Sequence, residues 1–158
     1  GWRSRWFAQM VTPVERAFYR QSRARHLIAI ARSLGREIEN EYGWSRATHV
    51  IYHGTDSQRF RPAVDAAERS ALQGRFQVPP DRWNWLFMGE AVKGLAGAIQ
   101  QLPAFPDAHL LVVSRSVMDP YLRQAEQLGV LSRITFHGYD PKPEEAFRAV
   151  DRPGCHRT

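Results

Sequence analysis

The chain has 158 residues, of which 43% are hydrophobic and 24% are charged, the composition of a globular protein with a real core. It contains no run of about 18 apolar residues, which excludes a membrane-spanning helix at the level of sequence. The single cysteine, Cys155, cannot form an intramolecular disulfide, and this favours a reducing compartment.

Most of the net charge of +6 lies near the start of the chain. Residues 1–46 hold nine arginines against four glutamates, and aromatic residues are interleaved with these arginines. This mixture favours a phosphate-rich partner, either an anionic membrane surface or a nucleic acid. The alternative is a helix that packs its aromatic side chains inward and turns its arginines to water. The aromatic residues concerned are Trp2, Trp6, Phe7, Phe18 and Tyr19.

The first predicted element is a helix over residues 12–25. Thr12 is in place to act as its N-cap, and Pro13 occupies the first helical position, which tolerates proline. The continuous apolar run at 27–31 then predicts a buried parallel strand.

A second helix is predicted to begin at a Ser33 cap and to end at Gly43. A short strand over 50–52 follows it. The polar, turn-like stretch after this strand predicts a domain boundary, and Gly54 and Asp56 are the predicted hinge residues. Asp56 is expected to hydrogen-bond to the local backbone.

The second part of the chain alternates regularly between the two element types. Strands that alternate with helices of about ten residues predict parallel βαβ units in a doubly wound sheet. Trp83 and Trp85 alternate in one strand and are expected to face the same side, in helix or core packing. The predicted elements are a helix at 65–74, a strand at 83–88, a helix at 94–102, a strand at 109–113, a helix at 120–128, a strand at 134–137 and a helix at 144–150.

Three segments in order carry a family resemblance. They are IAIARSLGREIENEYG with HVIYHGTDSQRFRP, then WLFMGEAVKGLAGAI, then LLVVSRSVMDPYLRQAEQLGVLSRITFHG. Over residues 12–151 the chain resembles the retaining glycosyltransferases of family 4, which have two Rossmann-like domains facing across a cleft, the GT-B fold. The resemblance implies an α/β, Rossmann-like, doubly wound parallel sheet of GT-B type, incomplete at both ends. Residues 1–57 would be the end of the N-terminal, acceptor-side domain and the crossover, and 58–158 the first part of the donor-binding domain.

The resemblance also implies an activity. A glycosyltransferase of this kind moves a sugar from a nucleotide-sugar donor to a polysaccharide, lipopolysaccharide or lipid-linked acceptor, with no metal and no other cofactor. It would work in the cytoplasm or at the inner face of the membrane. The 158-residue chain by itself is expected to be inactive.

The expected donor site lies at the carboxyl ends of the strands, where ligands bind in open α/β sheets. These ends carry Gly89, Ser114 and Gly138. Lys93 precedes the next predicted helix at Gly94, and a helix start with one lysine suits a pyrophosphate. In the family this lysine contacts the donor diphosphate and stabilises the leaving group, so Lys93 is the predicted catalytic residue. Replacing it with alanine is expected to abolish nucleoside diphosphate binding.

The loop after the last strand is where the family reads the nucleotide base, largely through backbone groups. The corresponding residues are His137, Gly138 and Tyr139, with ordinary packing at a strand end as the alternative. His53 occupies a turn position that favours a structural role. His26, His49 and His109 have no spacing that indicates metal ligation.

Departures from the family pattern leave other functions open. The family's arginine after the first glycine is replaced by Glu90, which would repel phosphate, and Arg115 is the candidate substitute. The usual glycine after the middle strand is Ser114, which would narrow the site. The paired glutamates, the glycine-rich acceptor loop and the catalytic histidine region of the family are absent. A non-catalytic GT-B-like binding module with an occluded pocket, or a basic nucleic-acid-binding domain, are the alternatives.

Overall fold

The computed structural model describes residues 2–150, and side chains from Met10 onward. The tail that contains Asp151 and Cys155 lies outside the described residues. The chain forms two compact units, unit 1 ending at Thr55 and unit 2 beginning at Asp56. The helices are α1 (Trp2–Gln21), α2 (Arg32–Tyr42), α3 (Ala66–Phe76), α4 (Leu95–Gln101), α5 (Asp119–Gln127) and α6 (Pro143–Val150). The strands are β1 (His26–Ala29), β2 (Ala47–Val50), β3 (Trp83–Met88), β4 (Ala108–Val113) and β5 (Ile134–His137).

Unit 1 is built on two parallel strands joined by a helix. Ile28 of β1 lies opposite His49 of β2, and α2 forms the crossover between the strands. The helix packs closely on the sheet, because a Cβ added to Gly35 would lie 3.1 Å from the methyl group of Thr48. Ile38 of α2 is buried, as the apolar face of an amphipathic helix requires.

Two predictions at helix starts are wrong. The helix predicted over 12–25 begins ten residues earlier, so Thr12 is not its N-cap and Pro13 lies inside the helix. The segment upstream is itself helical, and a local capping pattern cannot reveal that. At α2 the N-cap residue is Ala31, with no side-chain hydrogen bond, so Ser33 is not the cap.

The second predicted strand is displaced. Strand β2 covers Ala47–Val50, whereas the apolar residues predicted a strand at 50–52. The register with β1 decides its position, because a short parallel strand extends only where its neighbour offers hydrogen-bond partners. The pairing of β1 with β2 ends just after Val50, where Ile51 N–H donates to the carbonyl of Ala29 at 2.9 Å.

Unit 2 has a three-stranded parallel sheet in the order β3-β4-β5. Leu86 of β3 pairs with Leu111 of β4, which pairs in turn with Thr135 of β5. Every residue of the central strand β4 is buried. The bounds of β3 and β5 are those predicted, and the other predicted helices and strands of unit 2 differ from the prediction by one or two residues at an end.

Alternate residues of β4 serve the two faces of the sheet. Leu110 and Val112 belong to a core formed with α4 and α5. Leu111 and Val113 belong to a second core formed with α3 and α6. Helices therefore cover both faces, and the predicted α/β architecture with a doubly wound parallel sheet is confirmed.

The two tryptophans of β3 lie on one side of the sheet, as predicted. Their rings meet edge to face with centroids 5.7 Å apart, and both contact Phe105. Trp85 packs against the α4–α5 core, while Trp83 covers its outer edge and is partly exposed. These rings therefore act in packing.

The end of α2 follows the predicted glycine signal. Gly43 after α2 has φ 69°, a left-handed conformation that glycine adopts without strain. The start of α3 has a cap that the sequence did not reveal: Asp65 accepts a 2.7 Å hydrogen bond from the backbone N–H of Glu68.

Within residues 2–150, no helix combines the length and the apolar character needed to cross a bilayer.

Candidate functional site

The carboxyl ends of β3, β4 and β5 open onto a cleft of about 430 Å³ in unit 2. A cleft at this edge of a parallel sheet is the usual ligand site of an open α/β fold. It is lined by Arg59, Met88, Gly89, Glu90, Val113, Ser114, Arg115, Ser116, Tyr139, Asp140, Pro141 and Pro143.

The strand ends are held together by hydrogen bonds beyond the strands themselves. Gly89 N–H donates to the carbonyl of Val113 at 3.1 Å, and Ser114 N–H donates to that of His137 at 3.3 Å. Gly89 has φ 121°, and a Cβ added there would meet no atom within 4 Å. The glycine is therefore required by the backbone conformation that turns the chain after β3, and a close approach of other atoms is not the reason.

A pair of serines fixes the loops around the cleft. The Ser114 hydroxyl accepts a 3.1 Å hydrogen bond from Ser116 N–H, and the Ser116 hydroxyl accepts a 3.0 Å bond from Ala91 N–H. The loop after β4 is thereby tied to the loop after β3. Ser114 is buried, yet the cleft beside it is open, so the occluded pocket expected of a non-catalytic relative is not what the structure shows.

Arg115 is the cation at the end of β4. Its guanidinium lies over the ring of Tyr139, 3.5 Å from the centroid, and both residues line the cleft. A cation–π contact of this kind orders a long side chain that would otherwise move freely. Residues predicted on two different loops are thus brought together in one arrangement.

Lys93 lies outside this lining. It ends the 3₁₀ helix Ala91–Lys93, its side chain is 73% exposed, and its Nζ is 3.3 Å from a carboxylate oxygen of Glu90. Gly94, with φ 135°, follows it. Gly94, His137 and Gly138 also do not line the cleft, whereas Gly89, Ser114, Arg115 and Tyr139 do.

A buried carboxylate forms part of the cleft wall. Asp140, with a side chain 2% exposed, accepts hydrogen bonds from Arg75 Nη2 at 2.7 Å, His137 Nε2 at 3.1 Å and the backbone N–H of Lys142 at 2.8 Å. Burial alone would raise the pKa of Asp140. The Lys142 N–H, His137 and the charge of Arg75 outweigh burial and hold that pKa below its ordinary value.

The side chain of His137 takes part in the packing of the loop after β5. Its ring is hydrogen-bonded to Asp140 and packs edge to face against Phe76, with centroids 4.9 Å apart. The side chain therefore stabilises the loop after β5. Of the three residues predicted to read the base, Tyr139 is the one whose side chain is at the cleft.

The predicted hinge segment also contributes to the cleft. Asp56 Oδ1 accepts hydrogen bonds from Gln58 N–H at 3.0 Å and Arg59 N–H at 3.2 Å, the local bonding expected of aspartate in a turn. This turn places Arg59 on the lining, where its Nε donates to Glu144 Oε2 at 2.9 Å. A Cβ added to Gly54 would meet no atom within 4 Å, and its φ is not in the left-handed region.

The sequence prediction missed Arg59, Ser116 and Asp140. Asp140 had a usable signal, because it follows Gly138 in the loop at a strand's carboxyl end. Arg59 had no such signal in the sequence, since it comes from a turn far from the strands of unit 2 in sequence.

Within residues 2–150, no three or more His, Cys, Asp or Glu side chains are grouped to hold a metal ion.

The N-terminal aromatic and basic segment is divided between packing and exposure. Tyr19 of α1 packs against Tyr42 and Trp44, whereas Phe18 is 67% exposed. The Tyr42 hydroxyl donates to Glu15 at 3.0 Å, and this bond to a carboxylate raises the pKa of Tyr42. Inward packing is therefore found at Tyr19 and an exposed ring at Phe18, and the phosphate-rich partner stays a prediction. The side chains of Trp2, Trp6 and Phe7 lie outside the described residues.

Comparison with known proteins identifies the fold. No protein-family model and no characterised sequence matches the chain significantly. Solved structures do match. The chain is similar to a glycosyltransferase from Rickettsia africae ESF-5 (TM-score 0.64, 15% identity, 85% of this chain and 40% of that one). It is also similar to Anabaena Alr3699/HepE, solved in complex with UDP and glucose (TM-score 0.66, 20% identity, 90% and 40%).

The chain has the GT-B glycosyltransferase fold. A third neighbour, WaaG, a glycosyltransferase involved in lipopolysaccharide biosynthesis, agrees with a TM-score of 0.60 at 16% identity over 83% of this chain. The chain spans 38–40% of the length of these GT-B neighbours. That coverage fits the expectation that it corresponds to part of a GT-B fold.

Proposed function

We propose that this chain is the donor-binding part of a glycosyltransferase, and that the cleft of unit 2 holds a nucleotide-sugar. The observation that carries the proposal is the open cleft at the carboxyl edge of the sheet, with Arg115 stacked on Tyr139 inside it. A diphosphate is dianionic or more, and arginine forks bind phosphate oxygens in pairs. One GT-B neighbour was solved with UDP and glucose, which supports the same ligand class here.

The chemistry follows from the family resemblance. We propose transfer with retention of anomeric configuration, as in glycosyltransferase family 4, to a polysaccharide, lipopolysaccharide or lipid-linked acceptor. Basic side chains rather than a metal would neutralise the diphosphate. Lys93, one turn from Glu90 at the cleft, stays the predicted group that stabilises charge as the nucleoside diphosphate leaves.

We propose an anionic membrane surface as the second partner, and the cytoplasmic face of a membrane as the location. Met10, Val14 and Phe18 are exposed at four-residue intervals on α1. Residues at this spacing lie on one side of a helix. Exposed apolar side chains beside arginines are typical of helices that lie in a membrane interface.

A binding module without transferase activity is the second candidate function. The observation in its favour is the Glu90–Lys93 pair, which places a carboxylate on the cleft lining and engages the lysine expected to act on the donor. Such a module would bind a nucleoside diphosphate but would not turn over a sugar donor when joined to the rest of a GT-B fold.

Calorimetric titration of the chain with UDP, GDP, ADP and dTDP tests donor binding. We expect one of these diphosphates to bind. The corresponding free nucleoside should bind at least about tenfold more weakly, because the charged phosphates supply much of the affinity. Radiolabelled sugar transfer by the 158-residue chain should be absent. If no diphosphate binds at millimolar concentration, the donor-site proposal is wrong, and transfer by the chain alone would contradict the expected inactivity.

Replacing Glu90 with glutamine should strengthen diphosphate binding by about two- to fivefold. The change removes a negative charge from the cleft lining and frees Lys93 from its 3.3 Å ion pair, an effect limited by solvent because both side chains are well exposed. The same titration measures it, with Glu126→Gln on the outer helix α5 as the matched control. Unchanged binding by Glu90→Gln would show that the phosphates lie far from Glu90, and weaker binding would contradict the expected repulsion.

A further inference from the structure

The positive charge in the cleft comes from two arginines. Among the residues that line it, Arg59 and Arg115 are the basic ones, and Glu90 and Asp140 are the acidic ones. The carboxylate of Asp140 is already matched by Arg75 and by the Lys142 N–H. The lining therefore offers two guanidinium groups to an anion.

Arg115 is held in place without an ion pair to a carboxylate. Its backbone lies between Ser114 and Ser116, whose hydroxyl groups accept the hydrogen bonds that fix both loops. Its guanidinium rests on the Tyr139 ring at 3.5 Å, and within the described residues no carboxylate pairs with it. Guanidinium carries five N–H donors in a rigid fork. An ordered arginine without a carboxylate partner can therefore donate hydrogen bonds to phosphate oxygens.

Arg59 is the second cation and is fixed at several points. Its backbone N–H donates to Asp56, its carbonyl accepts from Arg148 Nη1 at 3.3 Å, and its Nε donates to Glu144. Within residues 2–150, its two terminal nitrogens make no hydrogen bond. They are therefore available to a ligand, although Glu144 offsets part of the charge.

Lys93 offers much less to a bound ligand. Its side chain is exposed, it is paired with Glu90, and it is not on the cleft lining. Water and the neighbouring carboxylate screen its charge, and exposed pairs of this kind contribute little.

We infer that Arg115, with Arg59 as the second cation, holds the diphosphate of the donor in the ground state, and that this binding does not depend chiefly on Lys93. The inference rests on the proposed donor site and names the groups that act there. Any contribution of Lys93 belongs to the transfer step, in which negative charge grows on the leaving diphosphate.

Tyr139 is then a positioning residue for Arg115. Its ring face carries the guanidinium, and its hydroxyl group makes no hydrogen bond within the described residues. Tyr139→Phe should keep the position of Arg115, whereas Tyr139→Ala should weaken diphosphate binding without removing any charge.

The test measures UDP and inorganic pyrophosphate binding to the 158-residue chain by calorimetry and by ³¹P NMR. Arg115→Ala should weaken both by about ten- to hundredfold, the range for losing charge-assisted hydrogen bonds. Arg115→Lys should recover part of the loss. Lys93→Ala should cost at most about threefold, in place of the complete loss that the family resemblance implies. The matched control is Arg123→Ala on α5, which should bind both anions as the wild type does.

Two further measurements separate binding from folding. Hydrogen exchange of the β3–β5 amides should be unchanged in Arg115→Ala, because the side chain is exposed. Uridine affinity, if measurable, should be far less affected than UDP affinity, since the lost contact is to phosphate.

The outcomes distinguish the inference from the function. A large loss in Lys93→Ala with little change in Arg115→Ala would overturn the inference and leave the donor site standing. Pyrophosphate binding that depends on Arg115, with no nucleoside diphosphate bound more tightly than pyrophosphate, would support the anion site and overturn the proposed function. Absence of both kinds of binding would overturn both.

Discussion

Replacing Asp140 with alanine should lower the free energy of unfolding of unit 2 by about 3 kcal/mol. The carboxylate is almost completely buried, and its removal leaves Arg75, His137 and the Lys142 N–H without their shared acceptor. Arg75 is 39% exposed, so water recovers part of the loss, and the estimate is placed at the lower end for a buried ion pair. Urea unfolding followed by hydrogen exchange of the β3–β5 amides reports unit 2 specifically.

The same residue gives a signed pH dependence. The pKa of Asp140 is lower in the folded chain than its ordinary value of about 3.9, so the folded state favours the carboxylate. The contribution of the Asp140 carboxylate to the free energy of unfolding is complete at pH values above its ordinary pKa. That contribution is lost as the pH falls through the lower pKa of the folded state. The difference in unfolding free energy between wild type and Asp140→Asn should therefore be constant from pH 5 to 7. It should shrink below about pH 4.

The matched control for Asp140 is Asp81, an exposed aspartate in the turn before β3. Asp81→Ala should change the free energy of unfolding by less than about 0.5 kcal/mol. If Asp140→Ala is equally mild, or if the Asp140→Asn difference grows toward acid pH, the described network does not stabilise the folded chain.

The elements that sequence predicted best are those fixed by local chemistry. The bounds of β3 and β5 follow from short apolar runs between polar segments, and Gly43 ends α2 because its left-handed conformation suits glycine. The regular alternation of strands and helices was enough to predict the architecture. The signals for these strand bounds and for the end of α2 are each contained within about ten residues.

The errors arose where a distant part of the chain decides the local structure. Strand β2 lies where β1 offers partners, and α1 continues upstream of the capping pattern at Thr12. In the same way, His26 and His49 lie far apart in sequence, yet the parallel register brings their ring nitrogens to 3.0 Å. No local spacing contains that information.

The candidate site could likewise be predicted only in part from the sequence. Four of the residues predicted at strand ends, Gly89, Ser114, Arg115 and Tyr139, do line one cleft, and their role in donor binding stays a prediction. The strand-end pattern could not show that Lys93 turns toward Glu90. It also could not reveal the contact between Arg75 and Asp140, residues separated by 65 positions. Contacts of charged side chains depend on packing of whole helices, which sequence spacing does not specify.

Replacing Leu111 with alanine should have the largest effect on stability, about 3–5 kcal/mol. Leu111 is fully buried at the middle of the central strand and belongs to the core between the sheet and helices α3 and α6. Truncation removes apolar burial and leaves a cavity that strands paired on both sides cannot close. Because β4 also supports the loop that carries Arg115, diphosphate binding should weaken together with stability.

The matched control is Leu128→Ala, the same substitution at a partly exposed position. Leu128 follows α5 and is 39% exposed, so Leu128→Ala should cost less than about 1 kcal/mol. Urea unfolding of both variants, read from the β3–β5 amides, measures the contrast. Similar losses at the two positions would mean that β4 is not the centre of the unit 2 core. A large loss at Leu111 with unchanged diphosphate affinity in the remaining folded protein would mean that the cleft is formed independently of the packing beneath it.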